Sequence, residues 1–379
     1  MDIQRMRRSF EIVGANGDEV PLFFYSHLFL NYPETRSLFP VSMMTQRDRL
    51  FAALGHIVTN VDDVDVLVPF LQDLGRDHRK FGTLAEHYPA VGASLLATLE
   101  HFAGDAWTPE LAADWAEAYG VIATVMTEAA AESDEPAWWD ARVVSHERRT
   151  LDIAVIRLEP RQRLDFSPGQ AVAIETELRP RLWRYYAVAN APREDNLIEL
   201  HVRAQDGGPV SSALVRHLSV GDPVRLGPAQ GDLVLDGGSD RDLLLVAGGT
   251  GVSALKAILD QVTQDDVARR VDFYVGARTV EELYDLESLQ ELARAHPWVT
   301  LVPVVSDEDG FAGEKGLVSD IVVRDGPWAS RDVYVCGSPS MVDETVKELV
   351  KAGVPEHRIR AERFAPSRPG PSAEGSLTS

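Results

Sequence analysis

Five consecutive apolar residues, Leu243 to Ala247, run directly into Gly248-Gly249-Thr250-Gly251-Val252-Ser253. A strand with no polar position is buried on both faces, which is the situation of a parallel sheet. Glycines directly after such a strand allow close backbone approach to a phosphate held at the start of the next helix. The loop departs from the G-x-G-x-x-G spacing, so a plain tight turn is the alternative reading. Strand and helix patterns then repeat: Val271 to Val275 with Glu281 to Arg294, Val299 to Val305, and Val333 to Val335 with Val342 to Lys351. This alternation predicts an α/β doubly wound nucleotide-binding domain over residues 238–365.

The remaining length requires other domains, since 379 residues at roughly 150 per domain make two or three units. Texture changes near residue 140. From Phe10 to Ala131 apolar residues recur at spacings of three and four, as amphipathic helices require. After Glu132-Ser133-Asp134-Glu135-Pro136 they alternate instead, through Val143, Leu151, Ile153, Val155 and Leu158, as short strands do. The expected division is an all-α domain over 1–134, a linker over 135–141, a β-rich domain over 142–237, and a flexible Ser/Pro/Gly-rich tail over 366–379.

Charge and cysteine content exclude several classes of function. Lys and Arg number 37 against 59 Asp and Glu, a net charge of −22, and such a surface repels nucleic acid and anionic membranes. The one cysteine, Cys336, can form neither an internal disulfide nor a cysteine-held metal cluster. Met1-Asp2-Ile3-Gln4-Arg5 is charged where a signal peptide needs an apolar core, and no run of about 18 apolar residues occurs. The expectation is a cytoplasmic protein, monomeric, without a nucleic-acid or membrane partner.

In the helical part, Leu67, Leu71, Leu74 and His78 fall at spacings of four, three and four, so an imidazole projects from an apolar stripe. A lone histidine of this kind is most often a hydrogen-bonded core residue. Two other stripes carry polar residues as well. Gln46 precedes Leu50, Ala53, Leu54 and Ile57, and Tyr25 lies between Leu22 and Leu28 or Phe29. One His, one Tyr and one Gln gathered from separate apolar faces suit an iron porphyrin, with an axial nitrogen on one side and hydrogen-bond donors on the other. Phe39, before Pro40, would form an aromatic wall.

These residues, with Phe24-Tyr25-Ser26-His27-Leu28-Phe29, Leu38-Phe39-Pro40, Leu95-Leu96-Ala97-Thr98-Leu99 and Ala118-Tyr119-Gly120-Val121, resemble the globin domain of the flavohemoglobins. The resemblance implies that His78 is the proximal iron ligand of heme b, Tyr25 and Gln46 the distal pair and Phe39 the ring packed on the heme. It implies that Tyr88 stands beside the proximal histidine, where contact to its other ring nitrogen would strengthen the ligand. Two departures mark a divergent member. The family's glutamate on the last globin helix falls on Ala130, with Glu128 and Glu132 only nearby, and the residue before the histidine, commonly Lys, is Asp77.

In the β-rich part, Arg184-Tyr185-Tyr186-Ala187 places a guanidinium fork and an aromatic ring on one strand face, suited to a phosphate and a flat ring system. Gly207-Gly208-Pro209-Val210-Ser211-Ser212 opens the helical pattern Ala213 to Leu218 and would present free amides, at Gly208, Val210 and Ser211, to a diphosphate. Here the chain is similar to the ferredoxin reductase family. The similarity implies an antiparallel β-barrel that binds FAD through Arg184 and Tyr186, with Ala187 where the family has a hydroxyl. It further implies that Glu362 and Phe364 lie near the flavin, and that Cys336-Gly337-Ser338-Pro339-Ser340-Met341 is the turn near the nicotinamide. Cys336 is otherwise readable as a small buried hydrophobe. Arg278, after Val275-Gly276-Ala277, leaves NADH and NADPH both open.

Taken together, the resemblance implies a flavohemoglobin in which NAD(P)H, FAD and heme act in that order, converting nitric oxide and O2 to nitrate. The alternatives are a divergent oxidoreductase using another donor or acceptor such as D-lactate, and a gas sensor. A sensor would need an output domain, and none is evident in the sequence.

Overall fold

The computed structural model describes residues 1–265 and 269–364; the tail expected over 366–379 lies outside the described residues. They divide into two compact units, which meet in the chain between Trp138 and Trp139.

The first unit is all helical. Its helices are α1 (Ile3–Gly14), α2 (Glu19–Asn31), α3 (Met44–Thr59), α4 (Val64–His78), α5 (Tyr88–Ala103) and α6 (Pro109–Glu132). Caps set several of their ends: the side chains of Asp2, Asp63 and Thr108 accept from the amides of Arg5, Val66 and Leu111, each satisfying an otherwise orphaned N–H. Met6, Phe24, Leu28, Leu95, Leu99, Leu111 and Trp115 form the buried core.

The helix that carries the Leu67, Leu71, Leu74 and His78 stripe ends at His78. A single tighter turn, Arg79–Phe81, follows and is closed by Gly82 at φ 77°, a conformation that glycine adopts without steric penalty. Just before the histidine, a Cβ on Gly75 would stand 2.3 Å from the carbonyl oxygen of Met126. Only glycine therefore lets α4 lie this close against α6.

The second unit opens with β1 (Trp139–Arg148), three residues ahead of the onset read from the alternation. Trp139 is buried and its indole N–H donates to the Arg163 carbonyl. There follow β2 (Ile153–Pro160), β3 (Ala171–Thr176), β4 (Arg184–Ala187), β5 (Ile198–Arg203), α7 (Pro209–Arg216) and β6 (Pro223–Gln230). The six strands form one antiparallel sheet in the order β4-β3-β6-β1-β2-β5. A bridge between Val188, just past β4, and Leu200 of β5 joins the two edges into a near-closed barrel. The helix expected at Ala213 starts earlier, at Pro209, which fits a proline at the first helical position. Val210, Leu214 and Val215 of α7 fill the barrel core.

A parallel sheet completes the unit: β7 (Leu243–Gly248), α8 (Val252–Gln264), β8 (Val271–Ala277), α9 (Leu286–Ala295), β9 (Val299–Val305), β10 (Glu314–Lys315), α10 (Val318–Asp325), β11 (Asp332–Gly337), α11 (Pro339–Lys351) and β12 (Ile359–Arg363). The helix expected from Glu281 begins five residues later, because Thr279 to Asp285 are taken up in turns closed by the Glu282-to-Thr279 and Leu283-to-Val280 backbone bonds. Strand order is β10-β9-β8-β7-β11-β12. The chain builds outward from β7 on one side and then returns to lay β11 against its other side. The carboxyl ends of β7 and β11 thus flank a topological switch point, where open α/β sheets bind ligands.

Candidate functional site

In the helical unit the structure brings Tyr25, Phe39 and Gln46 together. Tyr25 is 4% exposed and its hydroxyl donates to the main-chain carbonyl of Gln46 at 3.3 Å, with the Gln46 side chain also acting on the phenol. The Tyr25 and Phe39 rings meet edge to face with centroids 5.5 Å apart, and Phe29 packs on Phe39 at 5.4 Å. Burial raises the Tyr25 pKa, against a smaller lowering by its hydrogen bond at Gln46, so the phenol remains a proton donor at neutral pH.

His78 sits in the last turn of α4, on a separate apolar group that contains Leu67, Phe70, Leu71, Leu74 and Tyr88. Its Nδ1 is 2.7 Å from the Leu74 carbonyl. A carbonyl can only accept, so Nδ1 carries the proton and Nε2 keeps a free lone pair. Burial lowers the imidazole pKa, with Asp77 and the Leu74 carbonyl opposing, which favours the neutral, ligating form. The contact expected from Tyr88 is not made: no hydrogen bond joins Tyr88 to His78 among the described residues, and the orienting partner is Leu74, one helical turn back. Asp77 pairs with the buried Lys80. Glu128 and Glu132 are exposed, so neither takes the place of the acid missing at Ala130.

A fit test for heme follows from burial. Leu50 and Leu54 on α3, Leu67, Phe70 and Leu74 on α4, and Phe39 are apolar and pack on the cores, yet none is fully buried by protein. A flat apolar group would cover them, and an unprotonated Nε2 would supply its axial ligand; the residues present fit heme.

In the second unit, Arg184 and Tyr186 share one face of β4 and stand opposite Ile174 and Val172 of β3. Arg184 also donates to the Trp183 carbonyl at 2.8 Å. Gly208 caps α7, and a Cβ there would lie 2.6 Å from the Ser211 hydroxyl, which accepts from the Gln205 amide and donates to the Gly208 carbonyl. The Gly208 amide, expected to be free, is instead donated to the Gln205 carbonyl at 2.9 Å and closes the loop; the amides that the helix start leaves for a diphosphate are those of Val210 and Ser211. The Val210 side chain is buried in the barrel core and leaves only its amide for that purpose.

Four separated sequence motifs then converge. Ala187 of the Arg184 motif, Val252 after the glycine loop and Cys336 belong to one buried cluster, with Phe364 packed against it. The Phe364 amide donates to the Gly337 carbonyl at 2.7 Å, and Glu362 pairs in register with Cys336. Burial, helped by the Glu362 charge, pushes the Cys336 thiol well up, so it is a packing residue and not a nucleophile at neutral pH. Gly248, Gly249, Thr250 and Gly251 form the turn between β7 and α8, with Gly249 at φ 55°. Gly337 approaches Gly248, since a Cβ on Gly337 would be 3.2 Å from the Gly248 backbone.

One buried group escaped the sequence reading. Glu199 and His201 of β5 join Lys256 of α8 and Tyr284 and Asp285 before α9. Glu199 lies 3.0 Å from both His201 Nε2 and Lys256 Nζ, and 2.8 Å from Arg157 Nε; Lys256 is 2.9 Å from Asp285. The available signal was the alternation along β5, with Ile198, Leu200 and Val202 on one face and Glu199, His201 and Arg203 on the other. Burial works to raise the Glu199 pKa, but the His201 hydrogen bond, the Lys256 charge and Arg157 outweigh it and hold the carboxyl far below its usual range. A lowered folded pKa means this contribution is complete above the unfolded value of about 4.3 and is lost as pH falls through the folded one. Glu199→Gln leaves Lys256 and Arg157 short of an acceptor and is expected to cost about 3–5 kcal/mol at neutral pH, read by urea unfolding. An unchanged midpoint would show that the network is not stabilising.

The geometry defines a class: a helical unit whose residues fit a porphyrin, joined in one chain to a flavin and dinucleotide reductase. Family models match in the same order, Globin over residues 22–126, Oxidoreductase FAD-binding domain over 140–234 and Oxidoreductase NAD-binding domain over 245–347. A flavohemoprotein of Bordetella parapertussis is 30% identical, with 93% of this chain and 95% of that protein covered. A solved flavohemoglobin from Malassezia yamatoensis with bound FAD and heme overlays with a TM-score of 0.74 at 19% identity, covering 96% of this chain and 98% of that one. The flavohem-like FAD/NAD binding domain of a Vibrio cholerae nitric oxide dioxygenase matches with a TM-score of 0.54 at 23% identity, covering 60% of this chain and 99% of that one. The chain belongs to the flavohemoprotein family, and its cofactors are heme, FAD and a nicotinamide dinucleotide.

Proposed function

We propose that this chain is an NAD(P)H-dependent nitric oxide dioxygenase. The observation that carries the reading is the pairing of a histidine with a free Nε2, His78, and a buried, protonated phenol, Tyr25, in the unit preceding an oxidoreductase module. When bound, heme supplies an iron for gas ligands and FAD the conversion of a hydride into single electrons.

The protein's own contributions are orientation, proton placement and exclusion of water. Leu74 fixes the His78 ring through Nδ1. Tyr25 holds its O–H in a long, weak bond to the Gln46 carbonyl, and such a donor can turn to a better acceptor entering the pocket. Phe29 and Phe39 wall off that donor. In the second unit Arg184, Tyr186 and the amides of Val210 and Ser211 would hold FAD, with Gly208 closing the loop that presents them. The turn Gly248 to Gly251, with Gly337 against it, would hold the dinucleotide beside Phe364. Electron balance sets the outcome: each nitric oxide with one O2 and one electron becomes nitrate, so one NAD(P)H serves two turnovers and releases one proton. Heme-loaded protein is expected to consume NAD(P)H and O2 faster when nitric oxide is added. Equal rates with and without it would overturn the reading.

One observation favours a second reading, an oxidoreductase with another donor or acceptor such as D-lactate. The proximal side has Ala130 for the family's acid, with Glu128 and Glu132 turned to solvent. Rapid anaerobic heme reduction by NADH would exclude it.

A further inference from the structure

The coenzyme's adenosine end has a distinct electrostatic environment. Glycine-loop register sets Gly276 of β8 beside Gly248 of β7, so the residues just past β8 and its neighbour β9 lie next to the phosphate turn. In doubly wound domains this edge meets the adenosine ribose; a carboxylate there accepts from the 2′-hydroxyl of NAD, whereas an arginine accommodates the 2′-phosphate of NADP.

Arg278 follows β8, and its guanidinium is already engaged. It donates to Glu282 at 2.6 Å from Nη2, while the Arg278 main-chain amide donates to the same carboxylate at 3.2 Å. Asp307, past the end of β9, is tied to the same spot by its amide, which donates to the Arg278 carbonyl at 2.8 Å. Glu308 accepts from the Val280 amide at 2.8 Å. Glu282 therefore pairs with the guanidinium directly, and the Asp307 and Asp152 charges act on it as well. Arg203 reaches Glu282 and Asp152 at 3.6 and 3.3 Å. A 2′-phosphate would bring about two more negative charges and would have to compete with Glu282 for Arg278.

We propose that Glu282, by clamping Arg278 within this acidic rim, makes the nucleotide site select NADH over NADPH. The inference rests on the dinucleotide reading of the Gly248 turn given above. Its test is calorimetric titration of the full-length holoprotein with ADP-ribose and with 2′-phospho-ADP-ribose at low salt, which requires no turnover. The phosphorylated fragment is expected to bind at least about tenfold more weakly, a ratio that shrinks as salt screens the rim. E282Q, which frees Arg278 and removes one carboxylate, is expected to narrow the ratio several-fold, and E282Q/D307N further. Equal affinities in the wild type, or an E282Q ratio identical to wild type, would overturn the assignment and leave the nucleotide site standing. Failure of both fragments to bind would overturn the site along with it.

Discussion

His78→Ala is expected to yield a protein whose flavin is still reduced by NADH but which no longer retains heme. The physical case rests on ligand count and on what holds the ligand. The Leu74 carbonyl takes the Nδ1 proton of His78, so Nε2 is the one ring nitrogen left to coordinate, and an alanine offers none. Outer partners of a metal ligand are worth about 10- to 100-fold in affinity, and loss of the ligand itself should exceed that. The partly buried apolar residues of α3 and α4 would still attract porphyrin, so what is lost is tight, stoichiometric binding. The measurement is heme content with the absorption spectrum before and after anaerobic NADH. Wild-type stoichiometry and unshifted heme bands in the alanine variant would end the assignment of His78 as axial ligand. Bleaching of the flavin by NADH serves as the internal control, because α4 belongs to the other unit of the chain.

The complementary experiment is Gly251→Val. A Cβ at this position would stand 2.2 Å from the Cys336 carbonyl oxygen and 2.9 Å from the Gly337 amide nitrogen. Both are main-chain atoms at the end of a fully buried strand, so neither can swing aside as a flexible side chain would. Overpacking of this kind costs about 1–3 kcal/mol where the core can adjust. Relief here requires the Gly248 turn and the Cys336 turn to part, and those are the two loops proposed to hold the dinucleotide. Flavin reduction by NADH is expected to slow by about tenfold or more, with heme content unchanged. An NADH affinity and reduction rate equal to wild type would show that the close approach of the two turns has no part in binding.

The sequence by itself determined the domain types and much of the chemistry. Period settled the first: spacings of three and four before residue 131, alternation after 140 and an unbroken apolar run at Leu243 each belong to one kind of packing, because side chains repeat every 3.6 residues on a helix and every two on a strand. Residue type settled part of the second, since an imidazole at the end of an apolar stripe and three glycines after a buried strand have few uses. Tertiary structure decided what depends on a neighbour distant in sequence. The histidine's orienting partner is Leu74 and not Tyr88, because a helical carbonyl one turn back lies closer than a ring on another helix. The start of α9 moved to Leu286 since Glu282, a good helix former, is engaged by Arg278, and Asp285, the residue just before the helix, by Lys256. The buried Glu199 network joins residues up to 128 positions apart, from Arg157 to Asp285, and the Cys336 turn meets the Gly251 turn across 85. Such pairings are fixed by which strand the chain returns to, and no local pattern carries that information.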